Sequence, residues 1–278
     1  MTEVPKAIRK NGMIFLDIQI NGHSVEFLFD SGAHWTIVSN RVWRDIGMPT
    51  MQPSNIRVYS ATHTHVPSAG ILEAEVGFGG ETTSAPLMIS TSDDTPNLLG
   101  RNWIPLLLDF DMNQLLYQGV VLKRGTQDLQ KKFRLLKHMR QSVWSNGFFA
   151  DVKCRNANIN MLIDTGPHVT SIGTKLWKKL GQPPLSPAPK LWDMAGVEIP
   201  IRGQFTTSIE YEDQEVILLP LLVHYSDDPA VLGIDWLESG LNLNFNEIFH
   251  NLHFQMPTTY TDKKQSEAES EEKPNPTE

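Results

Sequence analysis

One cysteine, Cys154, stands among 278 residues, so no internal disulfide can form and a reducing compartment is the simpler expectation. Long apolar runs are missing too. The longest, 216–223, is interrupted by Pro220 and is far too short to span a bilayer. The first residues, Met1-Thr2-Glu3-Val4-Pro5-Lys6, lack the apolar stretch of a signal peptide, so a cytoplasmic protein is expected. Positive charge is in deficit: 24 Lys and Arg face 32 Asp and Glu, for a net charge of −8, which argues against a general nucleic-acid binder. What is present is ordinary globular material. Apolar residues make up 40% and charged residues 20%, enough to bury a core in one large domain or two smaller ones.

The sequence repeats itself. At an offset of 134, Asp30 falls on Asp164, Gly32 on Gly166, His34 on His168 and Thr36 on Thr170. The same offset pairs Trp43 with Trp177, Gly47 with Gly181, Pro49 with Pro183, Pro86 with Pro220 and Asp93-Asp94 with Asp227-Asp228. A one-residue slip then aligns Leu99-Gly100 with Leu232-Gly233 and Trp103 with Trp236. Matches in one order at nearly constant spacing mark a duplication. In both copies short Val-, Ile-, Leu- and Phe-rich runs alternate with Gly, Pro, Asn and Ser. Asn21-Gly22 between two such runs is a hairpin signal, and a Gly-Gly turn follows residue 78. Short helices are expected after Ser39, around 175–180 and after each Leu-Gly; the rest reads as compact β barrels.

The copies divide the chain into an N-terminal segment (1–12), a first lobe (13–122), a basic linker (123–145), a second lobe (146–256) and an acidic tail (257–278). The linker holds seven Lys or Arg against one acid, Asp128, and Leu129, Phe133, Leu136 and Met139 recur at near-helical spacing. A solvated amphipathic helix is the simpler reading, and a nucleic-acid or anionic-membrane patch the alternative. The tail is almost devoid of apolar residues and is expected to be disordered.

The chemistry is carried by two Asp-Ser/Thr-Gly triplets, Asp30-Ser31-Gly32 and Asp164-Thr165-Gly166. One triplet is weak evidence, arising by chance in roughly one chain in ten of this length. Two at corresponding positions of a repeat are much stronger. Each follows an apolar strand-like run and precedes, some seventy residues on, Leu98-Leu99-Gly100 or Val231-Leu232-Gly233. Two carboxylates a few ångströms apart cannot both ionise, so they share a proton and titrate as a pair. The ionised member can activate a water as general base, while the protonated one polarises a carbonyl. Glycine admits a close backbone approach, and the Ser31 and Thr165 hydroxyls can bond across to the opposite loop.

These segments, with 97–103 and 231–236, resemble the two signature elements of the retroviral and retrotransposon aspartic proteases, the retropepsins. The resemblance covers both repeats and leaves out linker and tail. It implies an all-β chain of two acid-protease barrels in tandem, a pseudo-dimer with its active site at the interface and only short helices. Asp30 and Asp164 would be catalytic, and Ser31, Gly32, Thr165 and Gly166 would hold their geometry. Leu99, Gly100, Leu232 and Gly233 would support the catalytic loops. Flap hairpins would fall near 59–67 and 192–200, bringing Ala61, His63, Ala195 and Gly196 to the substrate. The second tip has a glycine and the first has none, so the first is expected to be stiffer or differently shaped. Two positions depart from the family. Pro167 replaces the usual alanine (Ala33 in the first copy), and His34 and His168 stand where an acidic partner for Arg101 is common.

The implied function is an aspartic endopeptidase, without cofactor, acting on an extended peptide or polyprotein. It would serve a retroelement or a domesticated derivative, in the cytoplasm or within a retroelement particle. No membrane partner is expected, and nucleic acid only through the basic linker. The alternatives are a catalytically silent peptide-binding or scaffold module, and intermolecular pairing of lobes from two chains. A metal site at His63 and His65 lacks further ligands, so exposed flap histidines are the simpler reading. Cys154 lacks a base partner for a nucleophilic role. Gly77-Phe78-Gly79-Gly80 lacks the Lys-Ser/Thr of a phosphate loop and reads as a turn. The four repeated tryptophans read as core.

Overall fold

The computed structural model describes residues 7–107, 111–118, 147–155, 157–167, 169–212, 214–226, 229–239 and 241–250. The linker, the acidic tail, His168 and Asp227-Asp228 lie outside the described residues.

In the first lobe, strands β1 (Ala7–Lys10), β2 (Met13–Ile20), β3 (His23–Phe29), β4 (Ile37–Val38), β7 (Ser68–Phe78), β8 (Glu81–Ser90) and β9 (Leu98–Leu99) form one sheet. Its order is β1-β2-β3-β9-β4-β8-β7, and a β2–β7 pairing brings it round on itself. The second lobe repeats this as a closed barrel of β10 (Phe149–Cys154), β11 (Ala157–Ile163), β17 (Val231–Leu232), β12 (Ser171–Gly173), β16 (Gln214–His224) and β15 (Ile201–Tyr211). The remaining strands make two small hairpins, β5 (Val58–Tyr59) with β6 (His65–Val66) and β13 (Leu191–Trp192) with β14 (Glu198–Ile199).

Local chemistry accounts for these elements. In β2, Ile14, Leu16, Ile18 and Ile20 alternate inward, the period that a half-buried strand demands. Asn21 and Gly22 both adopt positive φ (50° and 81°), the type I′ turn that matches the twist of the flanking strands. Asn11-Gly12 makes the same turn (51° and 79°), which adds β1 to the sheet. The first sheet therefore begins before residue 13, where sequence patterning had set the lobe boundary. Helix α1 (Asn40–Asp45) is N-capped by Ser39, whose Oγ accepts from Val42 N at 3.3 Å. Its counterpart α2 (Thr174–Lys179) lies where the second copy was expected to be helical. After the Leu-Gly elements come a short 3₁₀ turn, Ile104–Leu107, and helix α3 (Ile234–Glu238).

Several side-chain bonds recur at equivalent places in the two lobes. Trp43 Nε1 donates to Pro49 O and Trp177 Nε1 to Pro183 O, both at 3.0 Å. Trp103 Nε1 donates to Pro86 O at 2.9 Å and Trp236 Nε1 to Pro220 O at 3.1 Å. The offset, however, is already 133 at the β5 and β13 hairpins, earlier than the slip seen in the sequence, and returns to 134 at the two prolines. Loop lengths, invisible to a motif comparison, absorb the difference.

One hydrophobic core runs through both lobes. Phe29 of the first lobe faces Phe249 of helix α4 (Phe245–His250), with ring centroids 6.3 Å apart, and Phe249 stacks against Phe148 at 4.4 Å. Away from the cleft, residues 111–118 meet this region through polar contacts. Met112 N donates to Asn246 Oδ1 at 2.8 Å, and Asn246 Nδ2 to Asp111 Oδ1 at 3.0 Å. Trp103 and Trp236 are 1% and 0% exposed, and the Cys154 thiol is buried beside Thr207, its pKa raised by that burial. These side chains build the core.

Candidate active site

The parallel pairings β3–β9 and β11–β17 set the site. Asp30 and Asp164 leave their strands with backbone N–H groups donating to Leu99 O and Leu232 O, both at 3.1 Å. Gly100 and Gly233 lie directly behind. A Cβ on Gly100 would come within 2.5 Å of the Trp35 backbone, and one on Gly233 within 2.6 Å of the Val169 backbone. Thr36 Oγ1 and Thr170 Oγ1 accept from those glycine amides at 3.0 and 2.8 Å. The same hydroxyls donate to Asn102 Oδ1 (2.8 Å) and Asp235 Oδ1 (2.7 Å). The supporting threonines were visible as a repeated match; Asn102 and Asp235 differ in type and gave no such signal.

The two triplet loops interlock across the lobes. Ser31 N donates to Thr165 Oγ1 and Thr165 N to Ser31 Oγ, each at 3.1 Å. Ser31 Oγ in turn donates to Ile163 O at 2.8 Å, and Thr165 Oγ1 to Phe29 O at 2.6 Å. Ser31 and Thr165 are fully buried, so all four bonds are sheltered from water. Both hydroxyls thus bond across to the opposite loop. Each glycine sits against the opposing carboxylate: Gly32 against Asp164, and Gly166 against Asp30, where an added Cβ would lie 2.8 Å from Cγ.

Asp30 and Asp164 influence one another's ionisation, and both carboxyls are raised, Asp164 well above the ordinary carboxylate range. Burial is the main cause for both. For Asp164 the negative charge of Asp30 adds to it, while the Gly166 N–H and Arg101 oppose it. For Asp30, burial is countered by the Ala33 N–H, Asp164, the Gly32 N–H and Arg101. A pair held this way takes up its protons in two separated steps.

Arg101 is 4% exposed, and its Nη1 donates to the carbonyls of Ser31 (3.0 Å) and Gly32 (2.7 Å). The guanidinium thus braces the first loop through its backbone, and the charges of Asp164 and Asp30 act on it. His34 is exposed.

Two small hairpins occupy the segments where flaps were expected, with Ala61 and His63 in one turn and Ala195 and Gly196 in the other. Their shapes require a correction, because the tips fold alike. Ser60 N donates to Thr64 O and Asp193 N to Val197 O, both at 2.9 Å. His63 takes the left-handed conformation (φ 60°) that Gly196 takes at φ 75°. The turn geometry imposes itself even on a residue that adopts it at some cost.

Sequence reasoning missed Asp193. Its Oδ1 accepts from Ala195 N and Val197 N at 2.9 Å, and its Oδ2 accepts from Thr62 N at 3.3 Å and from Thr62 Oγ1 on the opposite flap. Partial burial would raise its pKa, but bonds from Ser60, Thr62 and the two amides outweigh that and hold it at about 2. The folded value lies below the unfolded one, so the clasp contributes fully above about pH 4 and is lost as pH falls towards 2. Spin labels at exposed positions 61 and 195 should report a narrow distance distribution at pH 5. It should broaden near pH 2, and at every pH in Asp193→Ala. An Asp193→Ala distribution as narrow as that of the parent would show that the clasp does not hold the flaps.

Parts of the chain are similar to known proteins. Residues 16–105 match the family model described as gag-polyprotein putative aspartyl protease. The match lies within the first lobe, running from β2 to the turn after β9. Among solved structures, a retropepsin-like aspartic protease from Rickettsia conorii is 20% identical, covering 34% of this chain and 71% of its own, with a TM-score of 0.28. EIAV protease in complex with the inhibitor HBY-793 is 13% identical, covering 35% and 91%, with a TM-score of 0.31. The retroviral protease-like domain of Ddi1 from Leishmania major is 12% identical, covering 33% and 74%, with a TM-score of 0.26. No curated protein matches the chain.

Proposed function

We propose that this chain is an aspartic endopeptidase in which two lobes of one polypeptide act as a pseudo-dimer and Asp30 and Asp164 form the catalytic pair. The observation that carries the reading is that each carboxylate is set against the glycine of the opposing triplet, on loops cross-bonded through Ser31 and Thr165. The ionised carboxylate takes a proton from a water held between the pair as the water oxygen attacks the scissile carbonyl carbon. The protonated carboxyl gives its proton to the carbonyl oxygen, leaving a neutral gem-diol. Collapse then returns a diol proton to the pair, the leaving nitrogen is protonated, and the C–N bond breaks. The flaps cover an extended substrate by strand-like pairing and exclude water. Exposed Tyr59 and Trp192 at corresponding flap positions add apolar surface there. A polyprotein of a retroelement or a domesticated derivative is the natural substrate class.

The test is cleavage of extended peptides bearing apolar residues at the scissile bond, at mildly acidic pH, with and without a statine-type inhibitor. Inhibitable cleavage by a species of monomer size is expected. A folded chain that cuts nothing between pH 3 and 7 would favour a silent peptide-binding module, and activity confined to a dimer would favour pairing between chains.

A further inference from the structure

The two loops are not equivalent in what they offer a negative charge. Asp30 Oδ1 accepts two backbone hydrogen bonds, from Gly32 N at 3.0 Å and Ala33 N at 2.8 Å. Among the described residues, Asp164 Oδ1 accepts one, from Gly166 N at 3.0 Å. The missing donor has a covalent cause. Ala33 and Pro167 occupy the same place in the two lobes, since Arg101 N donates to Ala33 O (2.9 Å) as Ile234 N donates to Pro167 O (3.2 Å). Proline has no N–H to give.

A second difference points the same way. Arg101 Nη1 donates to the carbonyls of Ser31 and Gly32. These belong to the peptide groups whose N–H ends, on Gly32 and Ala33, donate to Asp30. A cation at one end of a peptide group polarises the donor at the other, so the buried guanidinium strengthens both bonds to Asp30. At the matching place in the second lobe stands Ile234, which has no charge to relay.

Resting on the reading of Asp30 and Asp164 as a proton-sharing pair, we infer that the chain fixes the shared proton on Asp164 and leaves Asp30 as the base. Pro167 is the positioning residue that sets this choice. In a symmetric pair the proton has two equivalent homes. Here a charge on Asp30 gains one more charge-assisted hydrogen bond than a charge on Asp164, a preference of about tenfold or more. The raised pKa of Asp164 has the same direction. Among the described residues, the charged groups bearing on the pair are the two aspartates themselves and Arg101, whose positive charge opposes protonation of both. His34, beyond the first loop, is exposed.

The test is a carboxyl-carbon NMR titration of the intact chain labelled at aspartate, assigned with Asp30→Asn and Asp164→Asn. In the parent protein Asp30 should ionise in the lower step and Asp164 in the upper. Pro167→Ala restores an N–H and stabilises only states in which Asp164 is ionised. With the proton on Asp164, this lowers the upper step by about one pH unit and leaves the lower in place. Were the proton on Asp30, the lower step would fall and the upper would stay. Pro167→Gly, which restores the same N–H, should move the same step. Ionisation of Asp30 in the upper step, a shift confined to the lower one, or no shift in a folded variant overturns the inference. The titration needs no turnover, so failure of the cleavage assay and failure of this assignment are separate results. If the chain does cut peptides, the alkaline limb of kcat/KM should follow the upper step.

Discussion

Asp30→Asn is expected to lower kcat/KM for peptide hydrolysis by roughly 10³-fold or more while leaving the chain folded, and Asp164→Asn to do the same. Neither carboxylate can do both jobs, because the reaction needs a base and an acid at once. Stability should move in the opposite direction from activity. Burial raises both carboxyl pKa values in the fold, so ionisation costs stability that is intact below the unfolded pKa and is lost as pH rises through the folded values. An asparagine carries no charge, yet its Oδ1 still accepts the backbone N–H groups of its loop. Each Asn variant should therefore melt at or above the parent's temperature at pH 7, with the gain shrinking towards pH 3. Turnover persisting in either variant would end the one-chain pair as a mechanism, and a lower melting temperature at pH 7 would mean that the carboxylates are not the burden their burial implies.

Gly32→Ala should cost turnover by about 100-fold or more, through geometry rather than chemistry. Its Cβ would be driven into the Asp164 carboxylate, and the loop has little room to retreat because Ser31 on one side is pinned to Thr165 and Ile163. The carboxylate must move, and with it the water between the pair. Gly166→Ala faces the same opposition more gently, with its Cβ 2.8 Å from Asp30 Cγ, and should lose less. Steady-state kinetics on both variants, with melting curves to confirm folding, would test the order. Equal losses, or the reverse order, would show that the inequality of the two approaches carries no catalytic weight.

Much of this site was legible because its signals are local or repeated. Alternating burial in β2 and the Asn21-Gly22 turn obey short-range rules, and the duplicated triplets identified each other. Asn11-Gly12 carried the same turn signal as Asn21-Gly22, but Ala7–Lys10 buries only one of its four residues, too little pattern to read as a strand. The first flap was misjudged from its missing glycine because the turn is enforced by two bonds, His63 N donating to Ser60 O and Ser60 N to Thr64 O, which hold His63 left-handed.

Other features exist only by juxtaposition. Asp193 is an ordinary turn aspartate until the opposite flap, 131 residues away in sequence, brings Thr62 to its free oxygen. No partner for Arg101 is legible in the sequence, and only the fold sets its guanidinium on the Ser31 and Gly32 carbonyls. The absent N–H of Pro167 was written in the sequence. Its consequence was not, because only the folded loop shows that the equivalent Ala33 N–H is spent on Asp30. What the sequence by itself determined is therefore the repeat, the β character and the identity of the two aspartates, all of which rest on chain-local chemistry. Tertiary structure decided which backbone dipoles and which charge each aspartate meets, because those fields fall off over a few ångströms and their sources lie far apart along the chain.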